Sequence, residues 1–255
     1  FNFIIIKISY MKKITLSSFL LLFLFSFISC SVEKITIHKI NGSPSYENSK
    51  LSLLETNKVE NGYSFSYKLD DYQLGIQTPK EFEYKLANSA KGQHIHFIVN
   101  NGPYFAQYSN DFEKEIDDGS VVLAFLSRSY HESVKNSQAY VLTQIGDSQD
   151  LDLSSEFLFY SRPKGKYSGE DTKKLLLDFY LVNTQISSDG NKVRVSIINH
   201  ETFETLDQFT IDEWAPYYIE GLPLGKINIK LELIDSNGDL IDTPFNPSNR
   251  TIILE

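Results

Sequence analysis

The chain is 255 residues long and carries 24 Lys and Arg against 33 Asp and Glu, a formal net charge of −9, with one cysteine in all. The acid excess repels a phosphate backbone and argues against a nucleic-acid partner. A lone cysteine excludes both an intramolecular disulfide and a four-cysteine zinc or iron–sulfur centre.

The first element in chain order is a targeting segment. After Met11 come Lys12 and Lys13, then an apolar run from Phe19 to Ile28 and the small residue Ser29 before Cys30, the layout of a signal peptide. The run is far shorter than the roughly 20 apolar residues needed to span a bilayer, and no second one follows. Phe-Ile-Ser-Cys at 27–30 resembles the lipobox of bacterial lipoproteins, which implies cleavage before Cys30 and acylation of its sulfur. Residues 1–30 are therefore expected to be a signal peptide with an upstream extension, 1–10. The mature chain is expected in the cell envelope, held at a membrane by lipid on Cys30. Losing 1–30 removes three lysines and no acid, leaving 21 basic against 33 acidic side chains, a net −12.

Beyond residue 30 the hydrophobic pattern alternates. Tyr63, Phe65, Tyr67 and Leu69 alternate with Ser64, Ser66 and Lys68, and Ile227, Ile229, Leu231 and Leu233 with Asn228, Lys230 and Glu232, the period of half-buried strands. Further strands are predicted at 94–99, 120–127, 140–145, 156–160, 175–182, 192–198 and 250–254. Turn dipeptides such as Asn61-Gly62, Asp118-Gly119, Asp189-Gly190 and Asn237-Gly238 separate these runs. The prediction is an all-β chain of antiparallel sandwiches.

A weak internal repeat bears on domain number. HIHFIVNN (94–101) aligns with KVRVSIIN (192–199), and DGSVVLAFLS (118–127) with LGKINIKLEL (224–233). Two tandem Ig-like sandwiches, 31–150 and 151–255, follow, with one elaborated sandwich as the alternative.

The chain has no G-x-S-x-G elbow, H-E-x-x-H pair, P-loop or G-x-G-x-x-G, so the expectation is a binding protein rather than an enzyme. Asp235-Ser236-Asn237-Gly238-Asp239 offers oxygens at alternate positions but lacks a distal glutamate, and reads as a hairpin turn rather than a calcium loop. His94 and His96 stand two apart on a strand, hence on one face and about 6.6–6.8 Å apart along it. With His131 as a third ligand they are a candidate zinc or copper site. The aligned residues in the second half are Lys192 and Arg194, which suits a polar outer face equally well. Arg128, Arg162 and Lys164 are a second candidate set, for an anion: Arg162 and Lys164 lie in Y-S-R-P-K-G-K-Y (160–167), where they can donate to a phosphate or carboxylate.

QLGIQTPKEFEYKLANSAKGQHIHFIVNNGPYFAQY (73–108), SVVLAFLSRSYHESVKNSQ (120–138), FYSRPKGKYSGEDTKKLLLDFYLVNT (159–184), WAPYYIEGLPLGKI (214–227) and DTPFNPSNRTIIL (242–254) resemble a family of Bacteroidota envelope lipoproteins. Some members carry the label phosphopeptide-binding protein, so the resemblance implies a peptide or phosphopeptide partner. Ser127-Arg128-Ser129-Tyr130-His131 approaches the S-R-x-H signature of forkhead-associated domains with one residue more. A glycan partner is a third expectation, from the 15 Tyr and 18 Phe.

Overall fold

A computed structural model describes residues 34–79, 85–147 and 150–255; the segment expected to be a signal peptide, with Cys30, lies outside them. The described chain is all-β, and none of its helices is long and apolar enough to cross a membrane. Its strands are β1 (Thr36–Lys39), β2 (Lys50–Val59), β3 (Gly62–Asp70), β4 (His94–Val99), β5 (Phe105–Gln107), β6 (Asp111–Lys114), β7 (Val121–Ser127) and β8 (Tyr140–Gln144). In the second half come β9 (Phe157–Arg162), β10 (Gly165–Tyr167), β11 (Leu175–Val182), β12 (Lys192–Asn199), β13 (Thr205–Ile211), β14 (Tyr217–Glu220), β15 (Gly225–Ile234) and β16 (Ser248–Leu254).

Four sheets form, in the orders β2-β3-β6, β5-β4-β7-β8, β1-β14-β11-β9 and β10-β16-β15-β12-β13. Pairing is antiparallel except where β10 runs parallel to β16. The first two sheets close on Phe65, Tyr67, Ile95, Phe97, Val122, Ala124 and Leu126. The last two close on Leu175, Leu177, Phe179, Val193, Val195, Ile229 and Leu231. These are the two predicted sandwiches. The repeat is visible in them, since β4 pairs with β7 and β12 pairs with β15.

Side chains alternate across a strand, so the second and third sheets each have another face. Those faces meet in a third core, Ile98, Leu123 and Phe125 against Phe157, Phe159 and Tyr180. The result is four stacked layers with the inner two covered on both sides. Strands buried on both faces read as continuous apolar runs, which explains VVLAFL in β7, FLFY in β9 and LLLDFYLV in β11, every residue of which is buried.

The point expected as a domain boundary, residue 150, is crossed in two ways. β1 leaves the first half to pair with β14, and residues 35–255 form one compact unit. A polar bridge also crosses the middle core. Asp178, fully buried on β11, accepts from the Ser133 hydroxyl at 2.9 Å and pairs with the Lys135 ammonium. The acidic turn is a hairpin connection as predicted, with the Asp235 carboxylate accepting from the backbone N–H of Asn237 and Asp239, both at 2.9 Å.

Removing one partner of a buried ion pair leaves an uncompensated charge. Asp178→Ala is expected to destabilise the protein by about 3–5 kcal/mol, read as a lowered urea midpoint with an unchanged slope. A fragment of residues 157–255 lacks β1 and exposes Phe157, Phe159 and Tyr180. It is expected to show broad, poorly dispersed amide resonances where the whole chain gives sharp ones.

A candidate metal centre between the inner sheets

His94 and His96 share the face of β4 that carries Ile98, and this is the face turned to the third sheet. Both are fully buried. The alternative of a polar outer face therefore does not hold for them. It holds for their repeat equivalents, because β12 lies in an outermost sheet and Arg194 is half-buried beside Glu232 at 3.6 Å. The same strand position faces water in one sandwich and a protein layer in the other.

The third histidine arrives by a turn. Beyond β7, the backbone N–H of Arg128 donates to the Glu132 carbonyl and that of His131 to the Arg128 carbonyl, both at 2.9 Å. His131 sits at φ 70, a left-handed conformation uncommon for a residue with a Cβ. The turn is pinned by Arg128, whose guanidinium pairs with the buried Glu132 carboxylate at 2.8 Å and donates to the Ser133 and Pro44 carbonyls. Arg128 is thus occupied internally and stands apart from Arg162 and Lys164. Its work is to hold the loop that presents His131.

The three imidazoles converge, with one nitrogen from each lying within 4.8 Å of the others. Nε2 of His94 is 3.0 Å from Nε2 of His96 and 3.2 Å from Nδ1 of His131. His94 Nδ1 donates to the Gly92 carbonyl at 2.8 Å. A carbonyl only accepts, so that nitrogen carries the proton and Nε2 presents its lone pair to the cluster. His96 Nδ1 is 3.1 Å from the Ser161 hydroxyl on β9, and its Nε2 is 3.0 Å from the Ser127 hydroxyl. Burial pushes the His94 imidazole down to about 4. Burial likewise lowers His96 and His131, with the positive charges around them adding to the effect. All three are uncharged at neutral pH, the form that coordinates a metal.

Tyr104, Ser127 and Ser161 complete the surroundings. The Tyr104 ring stacks on His96 at 3.5 Å and 8°, and its hydroxyl lies 3.1 Å from Nδ1 of His131. Arg162 and Lys164 approach the same tyrosine from the second half of the chain, the guanidinium 5.2 Å and the ammonium 3.7 Å from the ring centre. Sequence reasoning missed Tyr104 and Ser161, which carry no motif: Tyr104 folds back on His96 from the β4–β5 hairpin, and Ser161 reaches it only through the packing of the inner sheets. A separate cleft of about 790 Å³, lined in part by Trp214, Tyr140, Asn183 and Gln185, shares no residue with this centre.

No protein-family model matches the chain, and no curated protein does. Among solved structures it is similar to the fibronectin(III)-like modules of Clostridium thermocellum CbhA. The identity is 11%, over 87% of this chain and 94% of that one, with a TM-score of 0.27. It is also similar to domains 4 and 5 of the S-layer protein SbsC, at 8% identity over 88% and 98% of the two chains, with a TM-score of 0.19. Values this low say nothing about what the chain binds.

Gly92 positions His94 through its carbonyl, at φ +84 and with the Ile76 carbonyl oxygen 2.3 Å from where a Cβ would stand. Gly92→Ala is expected to cost more than about 1 kcal/mol, measured by chemical denaturation, and to shift the His94 ring resonances.

Proposed function

We propose that this chain is a non-enzymatic binding lipoprotein of the cell envelope, anchored through Cys30, that holds one zinc or copper ion on His94, His96 and His131. The observation that carries the reading is the convergence of three neutral imidazoles, two fully buried on a strand and one half-buried on a strained turn. Zinc–nitrogen bonds of about 2.0–2.1 Å place tetrahedral ligands roughly 3.3 Å apart, and the separations of 3.0 and 3.2 Å about His94 Nε2 lie close to that spacing. The hydrogen bond from His94 Nδ1 to Gly92 and the contact of His96 Nδ1 with Ser161 are the outer partners that fix ring orientation at histidine metal sites. His94 Nε2 presents its lone pair to the cluster, and Nε2 of His96 and Nδ1 of His131 lie 3.0 and 3.2 Å from it, within reach of the same ion. Three protein ligands leave a fourth coordination position open.

The envelope address rests on the signal peptide and the lipobox-like 27–30. Replacing the cysteine, Cys30→Ala, is expected to abolish incorporation of a fatty-acid analogue in metabolic labelling; equal label on both proteins would refute the anchor.

The metal reading is tested by titration calorimetry of the purified protein with Zn²⁺ and Cu²⁺. Wild type is expected to bind a single ion, and His96→Ala to bind it more weakly by roughly tenfold or more. Indistinguishable isotherms would leave the histidines as packing groups.

A further inference from the structure

The charge around the histidines is unbalanced. Two other interior cations meet carboxylates, Arg128 with Glu132 at 2.8 Å and Lys135 with Asp178. Arg250, half-buried near Lys164, donates only to backbone carbonyls among the described residues and has a buried Nε without a hydrogen-bond partner. Arg162 is only 9% exposed, yet among the described residues it pairs with no carboxylate. One of its amino groups donates to the Tyr167 hydroxyl at 3.0 Å, while its Nε is buried with no hydrogen-bond partner. Lys164 donates to the Tyr104 carbonyl at 2.6 Å and likewise pairs with no described acid. In a chain with 33 acidic residues, two adjacent cations without an acid at a buried position call for an anion from outside. A buried charge is tolerated only when paired and hydrogen-bonded.

The two cations also lie beside the open side of the histidine cluster. The Arg162 guanidinium lies over the Tyr104 ring, 5.2 Å from its centre, and the hydroxyl of that ring is 3.1 Å from Nδ1 of His131. One phenol group therefore separates the guanidinium from the imidazoles. Lys164 and His131 are the half-buried members of the group, so solvent reaches it on their side. Burial, Arg162 and Arg250 hold the Lys164 ammonium down to about 8, in keeping with a cation short of negative partners. A planar guanidinium with a free N–H edge suits the two oxygens of a carboxylate or phosphate group.

We propose that Arg162 and Lys164, with the Tyr104 hydroxyl, form a subsite for a small oxyanion, a carboxylate or phosphate group, which also occupies the fourth position of the metal held by the histidines. The coordination to metal rests on the function proposed above; the subsite itself rests on the uncompensated cations. A dication, a guanidinium and an ammonium in one dry place are mutually repulsive, and a bridging anion reduces that repulsion. It makes the same group the natural handle of a larger ligand, whose remainder would lie toward solvent.

The test is titration of the full-length protein with inorganic phosphate and, separately, acetate, with and without bound Zn²⁺. Wild type is expected to bind at least one of them, more tightly when zinc-loaded, and the tighter one identifies the class. Arg162→Gln is expected to weaken that binding by roughly tenfold or more, the equivalent of one charge-assisted hydrogen bond, while zinc affinity stays within a factor of about three. Lys164→Gln, at a half-buried position, gives the same reading if Arg162→Gln does not fold. Unchanged anion affinity in a folded variant, or no binding of either anion to wild type, overturns the subsite whether or not zinc binds. If zinc does not bind but the metal-free chain takes the anion through Arg162, the subsite stands and the metal centre falls.

Discussion

The central strands of the inner two sheets, β4, β7, β9 and β11, have almost no face left for water, and the rest of the molecule answers to that constraint. Burying a sheet on both sides adds apolar area to the core, as Ile98, Leu123 and Phe125 against Phe157, Phe159 and Tyr180 show. It also means that any polar side chain on those faces must find its partner inside the protein. Asp178 does so with Ser133 and Lys135. The histidines of β4 meet each other, His131, the Ser127 and Ser161 hydroxyls, the Tyr104 ring and the Gly92 carbonyl, with no carboxylate among these partners. The cluster closes on itself, with Nε2 of His94 at hydrogen-bonding distance from both Nε2 of His96 and Nδ1 of His131.

The two candidate residue sets of the sequence turn out to be neighbours rather than rivals. His94, His96 and His131 come from the first half and Arg162 and Lys164 from the second, and the packing of the inner sheets brings them to opposite sides of Tyr104's hydroxyl and ring. Arg128 separates from its set because its guanidinium is saturated by Glu132 and by the Ser133 and Pro44 carbonyls. Its contribution to the centre is mechanical: it fixes the turn that forces His131 into a left-handed conformation. Backbone strain of that kind persists only where surrounding contacts over-determine it, and here the contacts and the presented side chain belong to one loop.

Period-2 alternation made the strands legible, because a half-buried strand leaves its pattern in the sequence. It also placed His94 and His96 on one face and Ile95 and Phe97 on the other, as observed. The repeat was legible for the same reason, since β4 with β7 and β12 with β15 are equivalent neighbours carrying similar alternation. The largely apolar runs of β7, β9 and β11, broken only by Asp178 in the last, held a further message that alternation does not convey. Apolar residues at successive positions, rather than alternate ones, mark burial on both faces, and with it a layer that two separate sandwiches would not need.

By itself the sequence determined which segments are strands, where they turn, and which residues share a face, because each depends on neighbours a few positions away. It could not determine what each face is turned toward. His94 and Lys192 occupy equivalent strand positions, yet one is sealed beneath a protein layer and the other borders solvent, and nothing local distinguishes them. Nor could it bring Ser161 and Arg162 to the histidines and Tyr104, since those contacts join residues tens of positions apart through the docking of one sheet on another. Side-chain period fixes relative orientation within a strand, whereas burial, charge balance and the meeting of ligands are set by whichever sheet covers it, and only the tertiary structure decides that.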